Sequence, residues 1–164
     1  MRGLARELTK DNQYVVFSID YRRVNDPEGD AKPNYMHNLI EDVFGAMIHI
    51  REHAAEYGLD PDRIAVTGDS AGGHLSEAAA TLCTMIGDGG FGQLEGLYEY
   101  KPSYVPAGKT LVQIRDEITK AIRALAPSYG PSDALIDHEK IVGYATASTI
   151  WQSEKKEIKI NRFQ

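Results

Sequence analysis

The sequence has one cysteine, one tryptophan and no long run of apolar residues. The single cysteine, Cys83, cannot form an intramolecular disulfide, so a disulfide scaffold is excluded and a reducing compartment is favoured. No apolar stretch approaches the roughly 20 residues of a membrane-spanning helix, so no span is predicted. Residues 1–8 alternate charged and apolar side chains and lack the apolar centre of a secretion signal, which favours a cytoplasmic location if the chain is complete.

Positive charge is also scarce. Lysine and arginine together number 18 against 24 aspartates and glutamates, which gives a net charge of −6. Such a chain has no basic field to attract nucleic acid or anionic lipid, so neither partner is expected. A length of 164 residues, with 42% of them hydrophobic, is enough for one globular domain with a core but not for two.

Two short apolar runs flank a long amphipathic segment. Residues 14–19, YVVFSI, and residues 64–67, IAVT, are rich in β-branched side chains, and each run predicts a buried strand. Between them, apolar side chains recur at helical spacing from Met36 to about Tyr57, and Gly58 follows as the predicted C-cap. This order predicts two adjacent parallel strands joined by a right-handed crossover helix.

The remainder of the chain gives weaker signals. Residues 4–10 predict the end of a helix, and the alanine-rich residues 75–85 predict another. Residues 87–108 are rich in glycine and tyrosine and predict an irregular insertion. Thr110 predicts the N-cap of a further helix, and residues 121–126 fit either its continuation or a third strand.

The second apolar run ends in Gly68-Asp69-Ser70-Ala71-Gly72, which matches the pattern G-x-S-x-G. A serine at a tight strand-to-helix turn has a strained backbone, and the pattern predicts that the residues two before and two after it must lack side chains. Such a turn projects the hydroxyl above the carboxyl edge of the sheet, where the Ala71 N–H and the positive end of the helix also point. The pattern therefore predicts a nucleophilic serine; a glycine-rich turn that cradles a phosphate is the other interpretation.

Three segments, DYRR at 20–23, EYGLDPDRIAVTGDSAGGHL at 56–75 and APSYGPSD at 126–133, resemble the α/β-hydrolase esterases and lipases. The similar branches are the hormone-sensitive-lipase-like and the acetyl-xylan or feruloyl esterase-like enzymes, and the resemblance is strongest over residues 14–80. It implies an α/β fold, a parallel β-sheet with helices on both faces, as one partial domain truncated at both ends. It also implies a carboxylic ester hydrolase that acts on small acyl esters or acetylated sugars through an acyl-enzyme at Ser70, with an oxyanion donor at Ala71.

The resemblance also exposes missing groups. The family places an HGGG-like loop before the DYR strand, and no such loop precedes residue 14. Its order of serine, acid and histidine points to Asp133 as acid and His138 as base, with Asp137 as a second acid. The few residues between acid and histidine favour the alternative of a surface histidine. His74, on the first turn after the serine, is interpreted as a packing residue.

Metal and cofactor sites are not predicted. His49 and His53 stand four residues apart, a spacing that can bind a metal ion, but no third ligand stands out. A solvated helix face is therefore expected, and no cofactor is expected either. The chain fits a working esterase, or an incomplete fragment or non-catalytic remnant of one, and exposed sheet edges predict self-association.

Overall fold

A computed structural model describes residues 2–23, 34–87 and 99–130. The helices are α1 (Arg2–Thr9), α2 (Met36–Glu52), α3 (Ala71–Leu82), which continues into a 3-10 turn (Cys83–Met85), and α4 (Leu111–Ala121). The strands are β1 (Ile64–Asp69) and β2 (Ile122–Ser128). The helices predicted around residues 4–10, 36–57, 75–85 and after Thr110 are confirmed. None of the helices in these ranges is both long and apolar enough to cross a membrane.

The sheet within the described ranges consists of β1 and β2, which run parallel. The register pairs Ile64 with Ile122 at one end and Asp69 with Ser128 at the other, with one irregularity after Ile64. The α3 and α4 helices lie between the strands in sequence, which gives the strand–helix–strand order of a parallel sheet. The predicted α/β class is confirmed. Residues 121–126 were predicted either to continue α4 or to form a strand, and the strand β2 is what the structure shows from residue 122.

One hydrophobic core joins α2, α3 and α4 to the sheet. Val66 and Ile122 are partly buried against this core, whereas Ala65 and Thr67, on the opposite face of β1, are exposed. The strand predicted as wholly buried is therefore buried on one face. Self-association through the sheet edges stays a prediction. The buried core consists of Leu39, Ile40, Val43, Phe44, Met47, Ile48, Leu75, Ala78, Ala79, Cys83, Ile86, Tyr100, Ile114 and Ile118.

The predicted strand at residues 14–19 is wrong. This segment forms no strand and no ladder with β1, so the predicted adjacent pair and its crossover are not formed. Tyr14 and Val15 are 58% and 53% exposed and the Phe17 ring contacts the Tyr57 ring edge-on, whereas Ile19 packs against the core. Apolar, β-branched composition favours a strand but does not supply the partner that a strand needs.

A salt bridge fixes the DYRR segment to α2. The Arg22 guanidinium donates to both carboxylate oxygens of Asp42, at 2.8 and 2.7 Å, and the Arg22 backbone N–H donates to the same group at 3.0 Å. Arg22 Nη2 also donates to the Asn38 carbonyl oxygen at 3.1 Å. Burial alone would raise the pKa of Asp42, but the hydrogen bonds from Arg22 outweigh it, so this pKa lies below its usual range.

A closed turn follows α2, and a capping residue precedes α4. After α2, the turn continues to Gly58, where the Leu59 N–H donates to the Ala54 carbonyl at 2.8 Å and the φ of Gly58 is +67°. This is a Schellman arrangement, but it closes the turn that follows α2. The prediction of Gly58 as the C-cap of α2 is wrong: the helix ends at Glu52 with His53 as its C-cap, because i→i+3 turn bonds such as Glu56 N–H to His53 O replace the helical ones there. At the start of α4, Thr110 Oγ1 accepts from the Gln113 N–H at 3.2 Å, which confirms Thr110 as the N-cap.

A buried carboxylate attaches residues 100–104 to α2. Glu41 is only 8% exposed; its Oε1 accepts from the Lys101 N–H at 2.9 Å, and its backbone carbonyl accepts from the Ser103 N–H at 3.0 Å. Burial, together with the charge of Glu41, raises the pKa of Tyr100 to about 12.

Residues 99–108 contain no helix or strand apart from one bridge between Ile86 and Tyr100. Of the insertion predicted at 87–108, residues 88–98 lie outside the described ranges.

The Asp42 salt bridge predicts a pH-dependent stability. Replacing Asp42 by Asn should lower the free energy of unfolding by about 1 kcal/mol at pH 7, because a partly exposed, charge-assisted pair is lost. Since the folded pKa of Asp42 is lowered, its contribution is present above the unfolded pKa of about 4 and is lost as the pH falls through the folded value. Urea unfolding at pH 7 and pH 3 should therefore show the two proteins converging in acid. The exposed Asp11→Asn serves as the control, and a constant difference at both pH values would contradict the account.

Candidate active site

Ser70 occupies the turn between β1 and α3, where its backbone is strained. Its φ is +52° and its ψ −117°, and the residue is exposed at the carboxyl end of β1. A positive φ costs a residue with a side chain on the order of 1–3 kcal/mol, and it persists only where surrounding contacts impose it. Two backbone hydrogen bonds hold the turn: Ser70 N–H donates to Ser128 O at 3.0 Å, and His74 N–H donates to Ser70 O at 3.1 Å.

The close approach of Gly68 and Gly72 explains half of the glycine pattern. A methyl group on Gly68 would overlap the carbonyl group of Gly72 and lie 2.8 Å from its Cα atom. A methyl group on Gly72 would meet nothing within 4 Å. The prediction that a side chain is excluded two residues before Ser70 is confirmed, whereas two residues after it there is room for one.

The third glycine of the run, Gly73, has a role that the sequence analysis did not assign. A methyl group there would lie 2.8 Å from the Ser128 carbonyl oxygen and 2.9 Å from the Gly130 backbone nitrogen. Gly130 is constrained in turn, because a methyl group on it would lie 2.5 Å from the His74 nitrogen. The first turn of α3 therefore packs directly on the backbone that leaves β2.

Ala71 is the first residue of α3 and is exposed beside Ser70. The first N–H groups of a helix have no acceptor within the helix, and they carry the positive end of its dipole. The Ala71 N–H is therefore chemically suited to receive a negatively charged oxygen next to the Ser70 hydroxyl.

Asp69 and Tyr129 form a side-chain contact across the same edge of the sheet. Tyr129 Oη donates to Asp69 Oδ2 at 3.1 Å, although the Tyr129 side chain is 76% exposed. The φ of Tyr129 is +39°, so this residue is strained as well. The hydrogen bond to Asp69, reinforced by the carboxylate charge, raises the pKa of Tyr129 above its ordinary value.

The structure places the histidines as follows. His74 is half-buried on the first turn of α3, and its backbone N–H donates to the Ser70 carbonyl oxygen. The ring centroids of His49, on α2, and His53, directly after it, lie 4.1 Å apart, and His53 Nδ1 is 2.8 Å from the His49 carbonyl oxygen. Across the described ranges, no three His, Cys, Asp or Glu residues are grouped to hold a metal ion. The predicted base His138 and the predicted acids, Asp133 and Asp137, lie outside the described residues.

A parallel strand, a sharp turn with a strained serine and a helix that starts at the next residue form the arrangement of the G-x-S-x-G turn in α/β-hydrolases. The BD-FAE family matches residues 1–155, and the chain belongs to this family. The resemblance to the α/β-hydrolase esterases and lipases is thereby confirmed.

Three curated relatives come from Mycobacterium tuberculosis. The chain is 35% identical over 124 residues to "Carboxylic ester hydrolase LipN", covering 75% of this chain and 28% of the relative. It is 40% identical over 84 residues to "Carboxylesterase NlhH", covering 51% of this chain and 24% of the relative. It is 58% identical over 67 residues to "Probable carboxylic ester hydrolase LipM", covering 41% of this chain and 14% of the relative. The matches thus span about a quarter or less of these relatives, and no solved structure matches significantly.

The unequal roles of two glycines can be tested as a matched pair. Gly68→Ala should lower the free energy of unfolding by about 2–3 kcal/mol, because its methyl group has no space beside Gly72. Gly72→Ala should leave stability unchanged or raise it by up to about 1 kcal/mol, because alanine favours the helix and its methyl group enters open space. Urea unfolding measures both. Equal effects of the two substitutions would contradict this packing.

Proposed function

We propose that this chain hydrolyses carboxylic esters through an acyl-enzyme at Ser70. The observation that carries the proposal is the strained, exposed Ser70 beside the first N–H of α3. The names of the three relatives, a carboxylic ester hydrolase, a carboxylesterase and a probable carboxylic ester hydrolase, support the same chemistry. Small acyl esters or acetylated sugars are the proposed substrates, in keeping with the family resemblance and with a serine that lies at the surface.

The proposed reaction has two halves. In the first, Ser70 Oγ attacks the ester carbonyl carbon, a base takes the hydroxyl proton, and the carbonyl oxygen becomes negatively charged. The alcohol then leaves with that proton, and the acyl group remains on Ser70. In the second half, the base removes a proton from water as the water oxygen attacks the acyl carbon; the base then returns that proton to Ser70 Oγ as the bond to the acyl group breaks, and the carboxylic acid leaves.

Ala71 is proposed to stabilise the charged oxygen. A backbone N–H group fixed at the start of a helix needs no rearrangement when the charge develops, and the loss of one such donor costs on the order of 100-fold or more in rate. The first turn of α3 adds the positive end of its dipole at the same place. Gly68 and Gly73 support this geometry indirectly, because they allow the backbone contacts that fix the turn.

His138 is proposed as the base and Asp133 as the acid that orients it, because the family places its serine, acid and histidine in that order along the chain. Within the described ranges no side chain forms a hydrogen bond with Ser70 Oγ. Because His138 and Asp133 lie outside those ranges, a second candidate function, a catalytically incomplete or non-catalytic binding form of such an enzyme, stands beside the first. Because a serine hydroxyl is a poor nucleophile without a base, the two candidates differ in the rate of acylation.

Covalent labelling tests the nucleophile directly. We expect a fluorophosphonate probe to add one phosphonyl group to Ser70, and the adduct to disappear in Ser70→Ala. Ser128→Ala is the matched control, because it removes a nearby serine hydroxyl but keeps the backbone carbonyl that Ser70 N–H requires. Mass spectrometry of the intact and digested protein locates the adduct. A folded parent protein that stays unlabelled would favour the binding form.

Turnover of p-nitrophenyl acetate tests the base. We expect slow hydrolysis by the parent protein, and we expect His138→Ala to lower kcat to the level of Ser70→Ala, because both remove a member of one proton-transfer pair. His74→Ala is the control histidine, since the contact of His74 with Ser70 is made by its backbone N–H. If His138→Ala retains the parent rate, His138 is not the base.

A further inference from the structure

Three contacts join the turn at Ser70 to the end of β2. Two are made by backbone atoms: the Ser70 N–H to Ser128 O hydrogen bond and the close packing of Gly73 on Gly130. The third is the hydrogen bond between the Tyr129 hydroxyl and the Asp69 carboxylate. Asp69 directly precedes Ser70, so this side-chain contact acts on the peptide that leads into the strained residue.

We propose that Tyr129 is a positioning residue for Ser70 and acts through its hydrogen bond to Asp69. This inference rests on the proposed function, since it concerns how the serine of that site is oriented. The positive φ of Ser70 must be imposed by its surroundings, and fixing the Asp69 side chain restricts rotation of the Asp69–Ser70 peptide.

The conformation of Tyr129 itself supports this role. A tyrosine rarely adopts a positive φ, and glycine would occupy this position without strain. The side chain is 76% exposed, so little of the strain is offset by burial of the ring. The interaction that distinguishes Tyr129 from a glycine in the described structure is the hydroxyl contact with Asp69.

The partner has the matching chemistry. An ionised carboxylate accepts hydrogen bonds and cannot donate them, and a neutral phenol donates one, so the pair is charge-assisted. The contact also reaches from Tyr129, the residue after β2, back to Asp69 at the last paired position of the ladder, where Asp69 stands opposite Ser128. It therefore closes the end of the sheet on which the Ser70 turn is built.

Amide hydrogen exchange tests the inference without requiring activity. In Tyr129→Phe, which removes only the hydroxyl, we expect the Ser70 N–H to exchange about 10-fold faster by NMR, because its turn opens more often. The Ile118 N–H in α4 should keep its parent rate, which separates a local effect from general destabilisation. Tyr104→Phe is the matched control, because it removes a similar hydrogen bond, from Tyr104 Oη to Glu52 at 2.8 Å, elsewhere on the surface.

The rate of phosphonylation by the fluorophosphonate probe gives the second readout. Tyr129→Phe and Asp69→Ala should each slow the labelling of Ser70 about 10-fold, and the double variant should be no slower than either, because both remove the same contact. Asp69→Asn keeps an oxygen that accepts from Tyr129 and should retain most of the parent rate. Tyr104→Phe should label at the parent rate.

The outcomes separate the inference from the proposed function. The inference is overturned if the exchange rate of the Ser70 N–H is unchanged in Tyr129→Phe. It is also overturned if the exchange rate of the Ile118 N–H rises as much as that of Ser70. Additive effects of Tyr129→Phe and Asp69→Ala on labelling also overturn it. If the parent protein is not labelled at all, the proposed function fails, while the exchange rates still decide whether Tyr129 holds the turn.

Discussion

The close approach of two backbone segments at Gly68 and Gly72 is the constraint on which the rest of the site depends. Because Gly68 has no side chain, its backbone can lie directly against Gly72, and the chain leaves β1 and enters α3 within a single residue. Ser70 is that residue, and its positive φ is the result of the turn. The same turn brings the first N–H of α3 beside the hydroxyl, so one packing contact defines both groups of the proposed reaction.

Local patterns predicted much of the fold, because helices and their caps depend on residues close in sequence. The α2 stripe and the Thr110 cap were both visible in this way, although α2 ends earlier than the stripe predicted. Residues 14–19 were predicted wrongly for the opposite reason. A strand exists only with a hydrogen-bonded partner elsewhere in the chain, and composition alone does not show whether that partner is available.

The same distinction applies to the candidate site. The Ser70 turn was predictable because its five residues are contiguous and glycine is required there for steric reasons. The contact between Asp69 and Tyr129 and the packing of Gly73 on Gly130 were not, since each depends on the register between strands about 60 residues apart. Glu41 was missed as well, because its burial follows from the backbone groups of Lys101 and Ser103, which no periodic pattern in α2 reveals.

A crystal structure of the phosphonylated protein tests the central claim most directly, namely that the strained turn presents the Ser70 hydroxyl and the Ala71 N–H to one acyl group. The account predicts continuous density from Ser70 Oγ to phosphorus, with the phosphonyl oxygen about 3 Å from Ala71 N. Phosphorus bonded to another residue, or a phosphonyl oxygen turned away from the start of α3, would contradict it.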